Sequence, residues 1–346
     1  MSIVPQLKEE LRKVGTGYGM MSLTWKAEPV PESQAQDAML KAIQLAKANG
    51  SKAFFNVAEF YGPDFINLVY VKNFFTKYPE LRKDVIVSCK GSFDVQKFVP
   101  LGKADDVRRS VENCVSAMGG FIDIFEVARI DTSIIPPGQD YPYETFETLA
   151  EMVENGAIGG ISLSEVDEKQ IRAIAKDWIK YLTCVEVELS LFSPQILSNG
   201  VAKACSDLGL VIICYSPLGR GLLTGKFTST SDIPAGDFRL ALKRFQGDAM
   251  KQNLLLTQFL ASEIVAKRDA AHPINLPQVA LGWIKHWNKE KEFSGAKFIP
   301  IPSGSSAERV TENFDESRSQ LTDEEFKKIS DFLKDFTTVG DRYETA

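Results

Sequence analysis

Leu210-Val211-Ile212-Ile213-Cys214-Tyr215 is a run with no charged side chain and three β-branched residues in succession, followed at once by Ser216-Pro217-Leu218-Gly219. A strand with one wet face alternates polar and apolar residues. A strand buried on both faces reads as a continuous apolar run, which is the habit of parallel sheets covered by helices. Val85–Cys89 (VIVSC) reads the same way. Outward from these two, short β-branched or aromatic runs recur at Gly17–Leu23, Ala53–Val57, Ile122–Val127, Ile158–Leu163, Thr183–Val187 and Lys297–Ile301, eight in all. Between them, apolar residues repeat at three and four positions in Ser33–Asn49, Asp64–Tyr78, Ala104–Met118, Tyr143–Glu154, Glu168–Trp178 and Pro194–Leu208. Eight β-α units in 346 residues predict an α/β protein, a (β/α)8 TIM barrel spanning residues 1–346 as a single domain.

Composition narrows the class. Hydrophobic residues are 44% and charged residues 25%, enough apolar material for a large core. Net charge is -6, so the chain as a whole lacks the basic footprint of a nucleic-acid binder. Apolar runs never approach the roughly 18 residues of a membrane span. Met1–Val14 carries Lys8, Glu9, Glu10, Arg12 and Lys13 and has no signal-peptide core. Five scattered cysteines without a C-x-x-C pair suit a reducing compartment, so a cytoplasmic location is expected, with nuclear residence left open. The polar stretch Gly225–Gly247, with Arg239, Lys243 and Arg244, is expected to be a long loop over the barrel mouth.

Several motifs fail. Gly15-Thr16-Gly17-Tyr18-Gly19-Met20 puts Met20 where the dinucleotide fingerprint needs its third glycine. Gly219–Phe227 has Arg220 and Phe227 where a P-loop needs Gly and Ser/Thr. The only histidines are His272 and His286, so metal binding and Ser-His-Asp chemistry have almost no material, and no metal is expected.

One constellation holds. Phe55-Asn56-Val57-Ala58-Glu59-Phe60-Tyr61-Gly62 follows the second strand and Lys90-Gly91 closes the third. In a barrel both stand at the C-terminal face, where active sites are built. A tyrosine there is a weak acid whose phenolate a nearby ammonium stabilises, and it can protonate a carbonyl oxygen as hydride reaches the carbon.

These residues, together with FIDIFEVARID (Phe121–Asp131), GAIGGISLSEV (Gly156–Val166), VEVELSL (Val185–Leu191), YSPLGRGLLTGK (Tyr215–Lys226) and IPIPSGSSAERVTENF (Ile299–Phe314), resemble the aldo-keto reductase superfamily along almost the whole chain. Within it, NVAEFYGPDF and FEVARID are most similar to the fungal pyridoxal reductases. The resemblance implies a (β/α)8 barrel that reduces an aldehyde, pyridoxal, with NADPH. It implies Tyr61 as proton donor and Lys90 as the lysine tuning it. Ser164 and Glu165 correspond to the pair that fixes the nicotinamide carboxamide, and Glu186 stands where the family usually has Gln. Tyr215 corresponds to the aromatic stacked on the nicotinamide, and Ser216, Leu218 and Gly221 to the loop around the pyrophosphate. Ser303, Gly304, Ser305, Arg309, Glu312 and Asn313 correspond to the adenosine site, with Arg309 nearest the 2′-phosphate. Ser305 and Glu308 are also spaced as a capping box.

Two family positions differ. Asn56 stands where an aspartate pairs with the lysine, and Ala128 where a histidine orients the carbonyl, with Arg129 beside it as a second candidate substrate contact. Without the aspartate, Lys90 is expected to lose its counter-ion and its pKa to fall. Arg129 is expected to be solvated or ion-paired. An NADPH-binding regulatory subunit of the potassium-channel β type, and a reductase of other aromatic aldehydes, are the alternative readings. A Schiff-base lyase using Lys90 leaves the dinucleotide segments unexplained.

Overall fold

The computed structural model describes residues 3–343. Eight parallel strands form one sheet in chain order: β1 (Tyr18–Gly19), β2 (Ala53–Ala58), β3 (Val85–Gly91), β4 (Ile124–Val127), β5 (Ile161–Ser164), β6 (Leu182–Glu188), β7 (Val211–Tyr215) and β8 (Lys297–Pro300). The first strand meets the last. Gly17 N–H donates to Pro300 O at 2.9 Å, Gly19 N–H to Pro302 O at 3.2 Å, and Gly19 pairs with Ser303. A Cβ on Gly19 would lie 2.7 Å from Ile301 O, so the seam closes only over a glycine. The expected (β/α)8 barrel is the observed fold.

Side chains alternate along each strand, so one set lines the barrel interior. On that set, Phe54 is followed by Asn56, Ile86 by Ser88 and Lys90, Ile124 by Glu126, Cys184 by Glu186, and Ile213 by Tyr215. The lower layer is apolar: Phe54, Ile86, Ile124, Cys184, Val211, Ile213 and Ile299 form one buried cluster. The upper layer, toward the strand C-termini, is polar, and that inversion marks the functional end.

The predicted helices Ala104–Met118, Tyr143–Glu154 and Glu168–Trp178 appear with those bounds. Two expectations are corrected, and one element is new. The Gly17–Leu23 run is extended only at Tyr18–Gly19, because Met21–Thr24 coils into a helical turn. The Pro194–Leu208 helix begins only at Val201, since Gly200 sits at φ 92° and the Asn199 carbonyl oxygen Oδ1 takes the Val201 N–H. Val4–Lys13, unassigned from sequence, is a helix whose Leu7 and Leu11, with Val14, join the lower cluster and plug the barrel floor.

Candidate active site

Lys90 and Asn56 project from adjacent strands. Lys90 Nζ donates to Asn56 Oδ1 at 2.5 Å and to Glu186 Oε1 at 3.0 Å, and lies 3.9 Å from Glu126 Oε1. Asn56 Nδ2 donates to Glu186 Oε2 at 2.6 Å. All four side chains are buried, Glu126 completely. The Tyr61 ring centroid is 5.2 Å from Lys90 Nζ, placing the phenol and the ammonium together at the mouth.

This geometry corrects the expected state of Lys90. Burial works to lower its pKa, but Glu186, Tyr61 and Glu126 together carry it above the ordinary lysine value. The counter-ion absent at position 56 is supplied from β6. Both Glu186 oxygens are thereby engaged with Lys90 and Asn56, rather than being left for a cofactor. The Tyr61 hydroxyl is also not acidified. Burial pushes it up to about 12, with Lys90 acting downward and Glu186 upward.

Ser164 Oγ donates to the Ala128 carbonyl at 3.1 Å, which joins the ends of β4 and β5. Glu165 sits at φ 54° and pairs with Arg342. Arg342 also donates to Glu188 Oε2 at 3.1 Å and to the Tyr215 hydroxyl at 2.9 Å. Tyr343 lies beside it, its hydroxyl 3.0 Å from that of Tyr215. Its ring centroid is 4.7 Å from the guanidinium carbons of both Arg129 and Arg220. Arg129, expected to be solvated or ion-paired, is half-buried with its guanidinium on an aromatic face, and among the described residues it has no carboxylate within ion-pair distance. A cleft of about 510 Å³ runs outside this C-terminal segment, lined by Glu165, Gln195, Arg244, Thr338, Arg342 and Tyr343.

The loop after β7 is built from left-handed backbone: Ser216 (φ 50°), Gly219 (57°), Arg220 (54°) and Gly221 (103°). Tight turns of this kind present N–H groups to anions. A Cβ on Gly221 would also meet the Phe227 ring at 2.7 Å. Leu218 is half-buried in the same turn. The long loop that follows is tied back by Arg244, which lies 3.7 Å from the buried Glu188 carboxylate and donates to Gly340 O at 2.9 Å.

After β8, Ser306 caps the Ala307–Asn313 helix by accepting the Arg309 N–H, one residue later than the Ser305 capping box expected from spacing. Ser305 O accepts from Gln34, and Gly304 O from the Tyr18 hydroxyl at 2.6 Å. Asn313 Nδ2 donates to Ser303 O at 3.3 Å. Arg309 is held 3.0 Å from Glu312 Oε2, while Glu312 Oε1 accepts from Asn275 at 2.8 Å. Ser303, Gly304, Ser305, Arg309, Glu312 and Asn313 are therefore one connected patch.

Sequence reasoning missed three groups. Glu126 lies directly opposite Lys90 in the β3–β4 register. A charged residue in the apolar run Ile122–Val127, two places from an inward Ile124, was its signal. Arg342 and Tyr343 left no periodic trace. The third is an aromatic wall beside Tyr61: Trp25 at 5.4 Å and Phe60 at 5.5 Å between centroids, with Phe93 5.5 Å from Phe60 and Phe98 beyond it.

The sequence model of the Aldo/keto reductase family matches residues 16–334. A putative pyridoxal reductase of Saccharomyces cerevisiae is 64% identical over 343 residues, 99% of each chain. A probable pyridoxal reductase 2 of Schizosaccharomyces pombe is 31% identical, covering 96% of this chain and 95% of that one. Among solved structures, a glycerol dehydrogenase from Gluconobacter oxydans superposes with a TM-score of 0.73 at 19% identity, over 96% of this chain and 95% of that one.

Proposed function

The chain belongs to the aldo/keto reductase family, an oxidoreductase family, and from that premise we propose that it reduces pyridoxal to pyridoxine, reversibly, with NADPH. The observation that carries the reading is the buried Tyr61–Lys90 pair at the barrel mouth, charge-balanced by Glu186 and walled by Trp25 and Phe60. A flat aromatic aldehyde suits such a wall, since offset and edge-on ring contacts add to simple burial.

The donor set fits a nicotinamide dinucleotide. In the Ser216–Gly221 turn the Gly219 and Gly221 N–H groups close on Ser216 O and Leu218 O, so the Leu218 and Arg220 N–H groups would be the ones to meet the pyrophosphate. Ser303–Asn313 offers a polar cradle, with Arg309 as the charged fork for a 2′-phosphate. Ser164 and Glu165 hold the carboxamide, with Arg342 the group Glu165 must share. Tyr215 presents its ring. NADPH bound there supplies the hydride.

The chain's own part is a proton. Tyr61 keeps its hydroxyl protonated at neutral pH and donates to the aldehyde oxygen as negative charge develops on it. Lys90, kept as an ammonium, stabilises the phenolate left behind. That same protonation argues against a Schiff-base role, which needs a neutral amine. Ala128 leaves room beside the carbonyl, with Arg129 and Tyr343 at its edge. The reading includes a cytoplasmic location. NADPH consumption with pyridoxal, compared against simple aldehydes, tests it. Cofactor binding without turnover on any aldehyde would favour the regulatory-subunit reading.

A further inference from the structure

The reaction above leaves Glu126 without a task, yet it is among the most unusual residues of the barrel. It is fully buried, it projects from the middle of the β3–β4–β5 arch, and neither carboxyl oxygen has a partner at full hydrogen-bond geometry, its polar neighbours being the Ser162 hydroxyl and the Glu186 carboxylate. A buried carboxylate without partners is strongly disfavoured. Its nearest cation, Lys90 at 3.9 Å, is already engaged by Glu186 at 3.0 Å.

The charges around it can be counted strand by strand. Asn56 on β2 is neutral, and Tyr61 beyond it is a neutral phenol. Lys90 on β3 is the one positive charge. Ser162 on β5 faces it with a neutral hydroxyl, likewise short of full hydrogen-bond geometry. On β6 stand Glu186 and Cys184, whose thiol is pushed up by burial and therefore neutral, and on β7 the inward Ile213 carries no charge. Two carboxylates against one ammonium would leave a net negative charge in a buried layer. One proton removes it. A protonated Glu126 gains a donor, and Glu186 is the acceptor beside it, the way two crowded carboxyls are reconciled elsewhere.

We propose that Glu126 and Glu186 hold one proton between them beneath Lys90, and that Glu126 is the store from which the Lys90–Tyr61 pair is refilled at each turnover. The second half rests on the reductase reading. The direction of the Glu126 pKa agrees: burial, then Glu186, raise it far above the carboxyl range against the pull of Lys90.

The proton balance closes. As the aldehyde is reduced, the Tyr61 O–H bond breaks and the product O–H bond forms. A Lys90 N–H proton then moves to the phenolate, and the Glu126 O–H proton moves to the lysine amine. The negative charge comes to rest on the Glu126 carboxylate, beside the restored Lys90 ammonium, rather than on the Tyr61 phenolate. One proton from solvent restores Glu126 before the next cycle. No electron moves in these steps; the two of the hydride are already on the substrate carbon. Glu126 acts through Lys90, so it is a positioning residue.

Infrared difference spectra of the ligand-free chain test the shared proton without any turnover. At neutral pH the wild type should show a protonated-carboxyl C=O band, sensitive to deuterium, that Glu126→Gln removes. Glu186→Gln should remove it too, because Lys90 then takes Glu126 as its only counter-ion and the proton leaves. Absence of the band in the wild type, or its survival in either variant, overturns the proposal. Glu126→Gln keeps the shape and the donor to Glu186 but cannot release a proton. Its kcat with pyridoxal should fall by about tenfold, less than the loss of a general acid, with KM within about twofold. An unchanged kcat and pH profile overturn the refilling role. If the wild type reduces no pyridoxal but the infrared result holds, the shared proton stands, and the refilling role falls with the reductase reading.

Discussion

Asn56 Nδ2 donates to Glu186 Oε2 at 2.6 Å, an amide-to-carboxylate bond that spans the barrel mouth from β2 to β6. The same amide gives its oxygen to Lys90 at 2.5 Å. A residue expected to weaken the site by lacking a charge instead orders it, because the charge stands on the opposite wall.

That relationship predicts the outcome of an exchange. Asn56→Asp alone sets a carboxylate against Glu186 and replaces a hydrogen bond with like-charge contact, so stability and turnover should both fall. Adding Glu186→Gln restores a donor facing the new aspartate. The double variant should recover by about 1–3 kcal/mol relative to the summed single effects. Thermal unfolding of the four proteins measures this, and additive losses contradict it.

Stability should respond to pH through Glu126. Its folded-state pKa is raised, by burial first and Glu186 second. Such a group contributes fully below its unfolded pKa of about 4.3 and loses that contribution as pH rises toward the folded value. The wild type should therefore lose about 1.4 kcal/mol per pH unit relative to Glu126→Gln within that window. Denaturant unfolding of both proteins between about pH 5 and 8 reads the difference. Parallel curves would show that Glu126 is ionised throughout.

Arg309 is predicted to read the 2′-phosphate. Its guanidinium is oriented by Glu312, itself anchored by Asn275. Arg309→Leu should weaken NADPH binding by about 1.5–3 kcal/mol, roughly ten- to a hundredfold, and leave NADH binding near its parent value. Fluorescence titration with each cofactor decides it, and equal weakening places the phosphate elsewhere.

Ala128 is predicted to set substrate shape. Its carbonyl is fixed by Ser164 Oγ at 3.1 Å, so a larger side chain cannot withdraw by shifting the backbone. Ala128→His should lower kcat/KM for pyridoxal and raise it for small aliphatic aldehydes. A uniform change across both substrate classes would mean that position 128 does not face the substrate.

The barrel was legible because burial on both faces leaves unbroken apolar runs such as Val85–Cys89 and Leu210–Tyr215, and the runs recur eight times. The ends were less so. Gly200 and Asn199 delay a helix by local backbone chemistry, and Val4–Lys13 shows its apolar stripe only against the barrel floor it plugs. In the site, Tyr61 and Lys90 were legible from their places after the second and third strands, and Asn56 and Glu186 only through the family resemblance. Their charge relations were not, because Lys90 lies 96 residues from Glu186 and only closure of the barrel brings them to 3.0 Å. The Arg342 and Tyr343 contacts with Tyr215 depend on how the C-terminal segment returns across the mouth, which no local spacing encodes.

The most direct test of the central claim is NADPH oxidation by the purified protein with pyridoxal, beside its Tyr61→Phe variant. Phenylalanine keeps the ring against Trp25 and Lys90 and removes the acid, so reduction should fall by about 10²–10⁴-fold while cofactor affinity is held. A variant that reduces pyridoxal as fast as its parent would contradict the assignment of Tyr61 as the proton donor.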